Sequence, residues 1–419
     1  MKITYFGHAC IMIESRGKRI LMDPWLVDPT YHGTWWHYPP LRLGVKDVPK
    51  LDYIYISHEH PDHFDPPTLE QLDKSVEIII PDFKKKRFRD RIRAIGFQRI
   101  TELPFGVARR CDESGLTLQL IEPDRAWDDS AILVKNGETT VLNVNDCHLD
   151  EQTLRRLGNE NQIDLAFLTF TGASQYPGCF EFSEESKLER WRASKIDHLE
   201  EFVNWARLLK TKRAVPAAGN HALLCKEQLE LNTGNYVNTP QEAVDLLRQK
   251  APEIEGLQMN PGDVWTSAEG LMRLAPPPDW SRREDHIREL SAQHRAEIEA
   301  GFAAEEEAPA DLYDRFRSYF NGLLAADPSV AERIGIVTHW VVDGPNGGDW
   351  TIDFTRSSDW VSRGVPENWN LRLKWPEKLV WQGVSGKGIW DDLVLSFRLR
   401  LARQPDTYKK EFWTWLCKL

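Results

Sequence analysis

Apolar residues along roughly the first 265 positions form short runs with a period of two and longer runs with a helical period. This pattern predicts alternating strands and helices. Amphipathic helices are predicted at 67–75 and 186–209, and Asn136-Gly137 predicts a hairpin turn. The predicted strands are 2–5, 9–14, 19–22, 53–57, 76–80, 116–122, 130–135, 140–144, 164–169 and 214–218.

The pattern changes after this region. The run Ala-Pro-Pro-Pro-Asp at 275–279 marks a boundary, and the charged, helix-prone stretch 282–307 predicts a connecting helix. Beyond it we predict a helix at 311–325, strands at 334–343 and 350–355, and a terminal helical stretch at 390–419. The predicted organisation is a first domain at 1–275, a charged helical connector at 276–310 and a smaller α+β domain at 311–419.

Composition narrows the class of protein. The net charge of -11 disfavours a nucleic-acid partner, because phosphate binding needs a basic surface. The basic cluster at 84–91 fits either an anionic ligand or a solvated helix face. No apolar run is long enough to predict a membrane span. Residues 1–6 lead into a strand pattern without signal-peptide features, and the six scattered cysteines suit free thiols, so we predict a cytoplasmic protein.

The run His58-Glu59-His60-Pro61-Asp62-His63 follows a predicted strand and carries the clearest chemistry. Three imidazoles and a carboxylate within six residues are costly to crowd together unless they bind a cation. Neutral imidazole is the commonest metal ligand. His58 and His60 can face one metal, and Asp62 and His63 a second, so the spacing predicts a dinuclear site. A solvated histidine-rich loop is the alternative, but it explains neither the spacing nor the position after a strand.

This run resembles the principal signature of the metallo-β-lactamase superfamily, whose fold is an αββα sandwich. The resemblance implies a bridging carboxylate and one further ligand for each metal, all at strand ends. It assigns the bridge to Asp146 and the last histidine ligand to His221. The third ligand of the first metal is assigned to an aspartate, with Asp129 preferred over Asp128. The alternatives are a turn-capping Asp146, a structural His221, and loop aspartates that leave water to complete the first metal.

Further residues are assigned to the surroundings of the metals. The resemblance gives Asp23 the role of orienting a ligand. His8 and His148 are expected near the metals, with packing or exposure as alternatives. Trp35 lies in an aromatic-rich loop at 31–38, which either covers the site and contacts substrate or packs on the surface.

Several segments also resemble the catalytic region of the CMP-N-acetylneuraminate hydroxylases, namely 58–64, the Asp129 loop with 142–147, 171–177 and 390–413. This resemblance implies that Ser174 and Tyr176 line a substrate pocket. The chain departs from that family because it begins at the first strand, so the Rieske iron–sulfur domain is expected to be absent. His221 also stands where that pattern need not have a histidine. The C-terminal pattern resembles a sterol-carrier-type α+β domain.

Three carboxylates among the ligands favour iron or manganese over zinc. We therefore predict a non-haem diiron oxygenase or hydroxylase that acts on a small polar substrate, resembling a nucleotide sugar or a biosynthetic intermediate. Asp62 and Asp146 are the central catalytic carboxylates, and an external reductase or ferredoxin would supply electrons. The alternative is a zinc- or manganese-dependent hydrolase of a phosphodiester, lactone or amide, in which a bridging water is activated. A third hypothesis is a non-enzymatic protein whose tryptophan-rich C-terminal region binds a partner or lipid.

Overall fold

The computed structural model describes residues 1–111, 113, 115–124, 128–234 and 236–419. The chain forms two compact units, and neither is continuous in sequence. The first contains Met1–Thr30, Trp35–Gly172 and Arg192–Ser291. The second contains Tyr31–Thr34, Ala173–Trp191 and Ala292–Leu419. Two short segments that lie inside the predicted first domain are therefore part of the second unit.

The secondary structure of the first unit alternates between strands and helices as the sequence pattern predicts. Its strands are β1 (Lys2–Gly7), β2 (Cys10–Ser15), β3 (Lys18–Met22), β4 (Trp35–His37), β5 (Tyr53–Tyr55), β6 (Glu77–Pro81), β7 (Ile100–Leu103), β8 (Ala108–Arg110), β9 (Thr117–Ile121), β10 (Ala131–Lys135), β11 (Thr140–Asn143), β12 (Leu165–Leu168), β13 (Arg213–Pro216), β14 (His221–Leu223), β15 (Glu255–Gly256), β16 (Val264–Thr266) and β17 (Gly270–Met272). The helices that begin within residues 1–291 are α1 (Pro66–Gln71), α2 (Arg87–Ala94), α3 (Glu151–Glu160), α4 (Glu184–Leu208), α5 (Pro240–Lys250) and α6 (Arg283–Ala304).

Two large sheets form the centre of this unit. One has the strand order β17-β16-β1-β2-β3-β5-β6-β7, and the other has the order β15-β13-β12-β11-β10-β9-β8. Alternate residues of the strands face opposite sides of each sheet. Ile3 and Ile132 therefore belong to the apolar layer between the sheets. Leu133 faces the layer that contains α3 to α5, and Ile54 faces the layer that contains α1 and α2. The predicted αββα sandwich is confirmed.

The strand directions determine where side chains with chemistry can meet. Strands β3, β5 and β6 run parallel, and so do β11, β12 and β13. Because the carboxyl ends of parallel strands share an edge, residues that follow β3, β5, β11 and β13 come together there. A separate two-stranded pairing of β4 with β14 adds aromatic residues to this unit.

The second unit has one mixed five-stranded sheet and several helices. Its sheet has the order β20-β19-β18-β21-β22, and β18 and β21 are parallel. The strands are β18 (Val337–Asp343), β19 (Gly348–Asp353), β20 (Val361–Arg363), β21 (Leu371–Pro376) and β22 (Arg400–Arg403), and the helices are α7 (Leu312–Ala326), α8 (Ser329–Ile334), α9 (Glu377–Val384), α10 (Trp390–Leu395) and α11 (Lys410–Leu416). This confirms a separate C-terminal α+β domain. No described helix is both long and apolar enough to cross a membrane.

Tryptophans fill the core of the second unit. Trp340, Trp350, Trp375 and Trp390 are each at most 1% exposed. Phe316 of α7 packs against Trp340 and Trp350, with ring centroids 5.2 and 4.7 Å apart. The tryptophan-rich sequence of this region therefore builds a packed core.

The predicted terminal helix at 390–419 is wrong. The structure has α10, then β22 paired with β21, then α11. The helix is interrupted at Phe397, which has a left-handed φ of 55°. The strand that follows completes the edge of the sheet, so tertiary hydrogen bonding overrides the helical apolar pattern.

A pair of glycine substitutions tests the packing of α3. A Cβ added to Gly158 would lie 2.5 Å from the backbone oxygen of Leu208, whereas one added to Gly322 of α7 meets no atom within 4 Å. We expect Gly158→Ala to destabilise the protein by about 1–3 kcal/mol. Gly322→Ala, the matched control, should stabilise it by about 0.5–1 kcal/mol. Calorimetric unfolding of the full chain measures both, and equal shifts in the same direction would contradict this packing.

Candidate metal centre

The candidate ligands come from loops at one edge of the two sheets of the first unit. His8 follows β1, Asp23 follows β3, and the histidine-rich run follows β5. Asp146 follows β11, and His221 begins β14. The loop backbone is unusual here, because His8 and Asp23 have φ angles of 49° and 43°. Such non-glycine conformations cost of order 1 kcal/mol and cluster at functional sites.

A buried carboxylate organises this edge. Asp23 is 0% exposed. Its Oδ1 accepts a hydrogen bond from the Ser57 backbone N–H at 2.7 Å, and its Oδ2 accepts one from the Ser57 hydroxyl at 2.9 Å. The Oδ2 atom also lies 3.0 Å from His63 Nδ1. Asp23 therefore engages one ring nitrogen of His63 and leaves the other, Nε2, to point away from it.

The histidines of the run lie against one another. His58 Nε2 is 2.8 Å from His60 Nδ1, and the rings of His58 and His63 have centroids 4.2 Å apart. Backbone hydrogen bonds from the N–H groups of His63 and Phe64 to the His60 carbonyl close a turn. Within this turn the side chains of His58 and His63 are both buried. Its remaining carboxylate, Glu59, points elsewhere and pairs with Arg91 at 3.1 Å.

Asp146 lies beside two of these rings. Its Oδ1 is 3.3 Å from His63 Nε2, and its Oδ2 is 3.9 Å from His58 Nε2. The carboxylate thus faces one histidine from each predicted half of the site, which is the position required of a bridge. Its side chain is 37% exposed, so the site is open to solvent on this side.

His8 and Asp62 form a second cluster with His63. His8 Nε2 is 2.8 Å from Asp62 Oδ2, and His63 Nε2 is 3.5 Å from the same oxygen. The His8 backbone oxygen accepts hydrogen bonds from the Tyr5 hydroxyl at 2.9 Å and the Ala218 N–H at 3.1 Å. His8 therefore links β1 and the end of β13 to a candidate ligand.

Asp129 lies beside His58 Nδ1, whereas two other candidate ligands lie beside His58 Nε2. Its Oδ1 is 3.2 Å from His58 Nδ1, and it accepts the Ser130 N–H at 2.6 Å. The other ring nitrogen of His58, Nε2, is the one near His60 and Asp146. As placed, Asp129 orients His58 and does not share a donor position with it. Neighbouring Asp128 is exposed and lies in a loop. The prediction for this loop also includes residues 125–127, which lie outside the described part of the chain.

His221 is buried against Trp35. Their rings are stacked with centroids 3.8 Å apart and an angle of 8° between the planes. His221 lies 6.0 Å from His8 between ring centroids. Burial, together with the nearby imidazole of His8, holds the pKa of His221 well below its usual value, so this ring is neutral and able to bind a metal. Trp35 is 1% exposed, which argues against the predicted contact with substrate.

These donors fit metal ions. His63 Nε2 is buried and has no hydrogen-bond partner among the described residues, although two carboxylates lie within 3.5 Å. The donor atoms of His58, His63 and Asp146 all lie within 4.8 Å of one another, as do those of His8, Asp62 and His63. Ligands about 2.0–2.2 Å from a common ion have similar mutual separations. Nitrogen and oxygen donors of this kind suit zinc, iron or manganese.

The charged groups of the site shift one another's pKa values. Burial alone lowers the pKa of His63, but Asp146, Asp62 and Asp23 around it raise the value well above the usual range. Burial alone raises the pKa of Asp62, yet the imidazoles of His63 and His8 outweigh it and hold the value well below the usual range. The folded chain therefore keeps negative carboxylates around a proton on His63, in the place where a cation would bind.

His148 has partners other than the candidate ligands, and two further predicted residues belong to the second unit. His148 Nδ1 is 2.7 Å from Asp124 and its Nε2 is 3.3 Å from Glu201, neither of which is a candidate ligand. Ser174 and Tyr176 belong to the second unit, where the Tyr176 hydroxyl accepts a hydrogen bond from Arg190 at 2.5 Å. Sequence reasoning missed Ser57 and Ser130. Ser57 could have been suspected from its place directly before the histidine-rich run.

Ser130 carries a link between the two sheets. Its hydroxyl donates to the Ser57 backbone oxygen at 3.0 Å and lies 2.7 Å from the Tyr55 hydroxyl. Its own backbone oxygen accepts from the Asn145 side chain at 3.2 Å. The loops that carry the histidine-rich run, Asp129 and Asp146 are thereby joined by buried hydrogen bonds.

Comparison with known proteins supports the fold described above. Residues 2–169 match the sequence family described as the β-lactamase superfamily domain. The chain is a metallo-β-lactamase-fold protein. It is 25% identical over 430 residues to the cytidine monophosphate-N-acetylneuraminic acid hydroxylase of Mus musculus, covering 99% of this chain and 73% of the relative. The hydroxylase of Danio rerio is 26% identical over 437 residues, covering 98% and 71%. This metallo-β-lactamase-fold protein therefore resembles the hydroxylases over nearly its full length.

Solved structures of both hydroxylases and hydrolases are similar to the metallo-β-lactamase-fold chain. CmlA, a diiron β-hydroxylase from Streptomyces venezuelae, is 16% identical with a TM-score of 0.44, covering 65% of this chain and 54% of that one. An isothiocyanate hydrolase from Delia radicum gut bacteria is 18% identical with a TM-score of 0.47, covering 64% and 98%.

The raised pKa of His63 predicts how the stability of the metal-free protein depends on pH. Its stabilising contribution is complete below about pH 6.5, the unfolded-state value, and is lost as pH rises through the higher folded-state pKa. The free energy of unfolding of wild type relative to His63→Gln should therefore fall over the pH range above about 6.5. Urea unfolding in the presence of a chelator measures this difference. A difference that stays constant over this range would contradict the charge arrangement.

Proposed function

We propose that this protein is a dinuclear non-haem iron oxygenase that hydroxylates a small polar substrate, in the class of nucleotide sugars or related biosynthetic intermediates. One oxygen atom of dioxygen would enter a C–H bond of the substrate. The other would leave as water, with two electrons from an external reductase or ferredoxin and two protons from solvent. Bound iron would be the group that reacts with dioxygen.

The extent of the similarity to hydroxylases carries this proposal. The β-lactamase superfamily match ends at residue 169 and does not by itself distinguish a hydroxylase from a hydrolase. The similarity to two vertebrate CMP-N-acetylneuraminic acid hydroxylases continues through 98–99% of the chain. It therefore includes the C-terminal unit, a part of the chain outside the superfamily match. This favours the oxygenase over other activities of the fold.

The residues of the chain would divide the work as follows. His58 and His60 would hold the first metal, and Asp62, His63 and His221 the second, with Asp146 between them. Asp23 would keep His63 Nδ1 engaged so that Nε2 faces the metals. His8, 2.8 Å from Asp62, would hold that carboxylate in place.

A hydrolase is the second candidate, and the placement of Asp129 favours it. The oxygenase prediction counts Asp129 as a third carboxylate ligand, but its Oδ1 lies beside His58 Nδ1, on the side opposite the cluster. A ligand role requires this carboxylate to turn away from His58. If it stays where it is, the first metal has two histidines and the bridge, a nitrogen-rich set that suits zinc. Zinc would then activate a water for attack on a phosphodiester, lactone or amide.

Metal-dependent activity separates the two candidates. Metal-free protein would be loaded anaerobically with Fe²⁺, Zn²⁺ or Mn²⁺ and supplied with reduced ferredoxin, dioxygen and CMP-N-acetylneuraminate as the probe substrate. The oxygenase proposal predicts dioxygen consumption with iron alone and a product heavier by one oxygen atom. Hydrolysis of phosphodiester or lactone probes by the zinc form, with no dioxygen consumed by the iron form, would move the assignment to a hydrolase.

Substitution of the bridge tests the ligand assignment. Asp146→Ala should reduce the metal content from two ions to one per chain, because the remaining donors cannot screen two cations from each other. Asp124→Ala is the matched control, since Asp124 is also a loop aspartate paired with a histidine but lies outside the ligand set. Elemental analysis of both proteins gives the answer. Two tightly bound ions in Asp146→Ala would show that the bridge is wrongly assigned.

A further inference from the structure

The short pairing of β4 with β14 brings an aromatic ring onto a candidate ligand. The register places His221 opposite His37 and Leu223 opposite Trp35, so Trp35 is the diagonal neighbour of His221. Their rings stack with centroids 3.8 Å apart and 8° between the planes. Trp35 is 1% exposed and His221 is 7% exposed. The imidazole is thus held on one face by a ring that is itself buried.

Among the described residues, none gives His221 Nδ1 the hydrogen bond that usually supports a ligating histidine. Such histidines almost always donate their second ring N–H to a carboxylate, carbonyl or water, which fixes the ring orientation. His63 has this support from Asp23 at 3.0 Å, and His58 Nδ1 lies 3.2 Å from Asp129. His221 Nδ1, by contrast, is buried without a hydrogen-bond partner among the residues that the structure describes.

We propose that Trp35 is the positioning residue for His221, and that ring stacking takes the place of the missing hydrogen bond. The inference rests on the proposed function in one respect, the assignment of His221 to the second metal. A nearly parallel stack fixes the plane of the imidazole. The lone pair and the N–H of its nitrogens lie in that plane and point away from the indole face, so they stay available. Trp35 thereby acts on the metal through His221 and not on substrate.

Selective loss of one metal is the expected signature. In calorimetric titrations of the metal-free full-length chain with Zn²⁺, Trp35→Leu should bind the first ion like wild type. It should bind the second about 10–100-fold more weakly, the usual effect of removing support around a ligand. Trp35→Phe keeps an aromatic face and should restore most of the affinity.

Trp265→Leu is the matched control, because Trp265 is a 3% exposed tryptophan of the same unit that packs with Arg213 and contacts no candidate ligand among the described residues. It should bind two ions like wild type. If Trp35→Leu and Trp265→Leu weaken both ions equally, Trp35 is only a core residue and the proposal is wrong. Full affinity for both ions in a folded Trp35→Leu protein would also overturn it.

Two further measurements keep the proposal separate from the proposed function. In His221→Ala the second ion should be lost, and if both ions remain the ligand assignment fails before Trp35 is considered. In wild-type protein, proton NMR should find the carbon-bound imidazole protons of His221 shifted upfield by the indole ring current, with the resonance assigned by its loss in His221→Gln. An imidazole resonance at the ordinary position would exclude the stack without any change to Trp35.

Discussion

The buried Asp23 carboxylate is the interaction on which the candidate site depends. It stands at the end of β3 with no exposed surface and accepts hydrogen bonds from the backbone and hydroxyl of Ser57 at the end of β5. The same carboxylate engages His63 Nδ1. A buried carboxylate is costly unless it is paired and hydrogen-bonded. Once folded, this arrangement fixes the start of the histidine-rich run and the direction of His63 together.

The directions of the His58 and His63 rings determine which other side chains they meet. His63 Nε2 is directed towards Asp62 and Asp146. His58 lies beside Asp146, which follows a strand of the second sheet. Carboxylates this close repel one another, and added positive charge among them stabilises the arrangement. In the metal-free chain a proton on His63 supplies part of this charge, and metal ions would supply more. Stability and metal binding are therefore linked through the same few side chains.

Much of this could be predicted from the sequence, because period-two apolar runs and the histidine-rich run are local signals. The strands on either side of Asp146 and the run after β5 lie where the pattern places them. Contacts set by tertiary packing could not be predicted. The position of Asp129 beside His58 Nδ1 and the stack of Trp35 on His221 depend on loops that meet only in the folded chain. The pairing of β22 with β21 likewise broke a stretch whose apolar pattern is helical.

Locating the metals directly is the most decisive measurement. Crystals of metal-loaded protein, with anomalous diffraction recorded at the iron and zinc absorption edges, would give the position and identity of each ion. The account predicts two ions about 3.5–4 Å apart, the usual spacing of two-metal sites. One would lie between His58 and His60 and the other beside Asp62, His63 and His221, with Asp146 contacting both. A single ion, or a second ion that does not contact His221, would contradict the dinuclear centre described above.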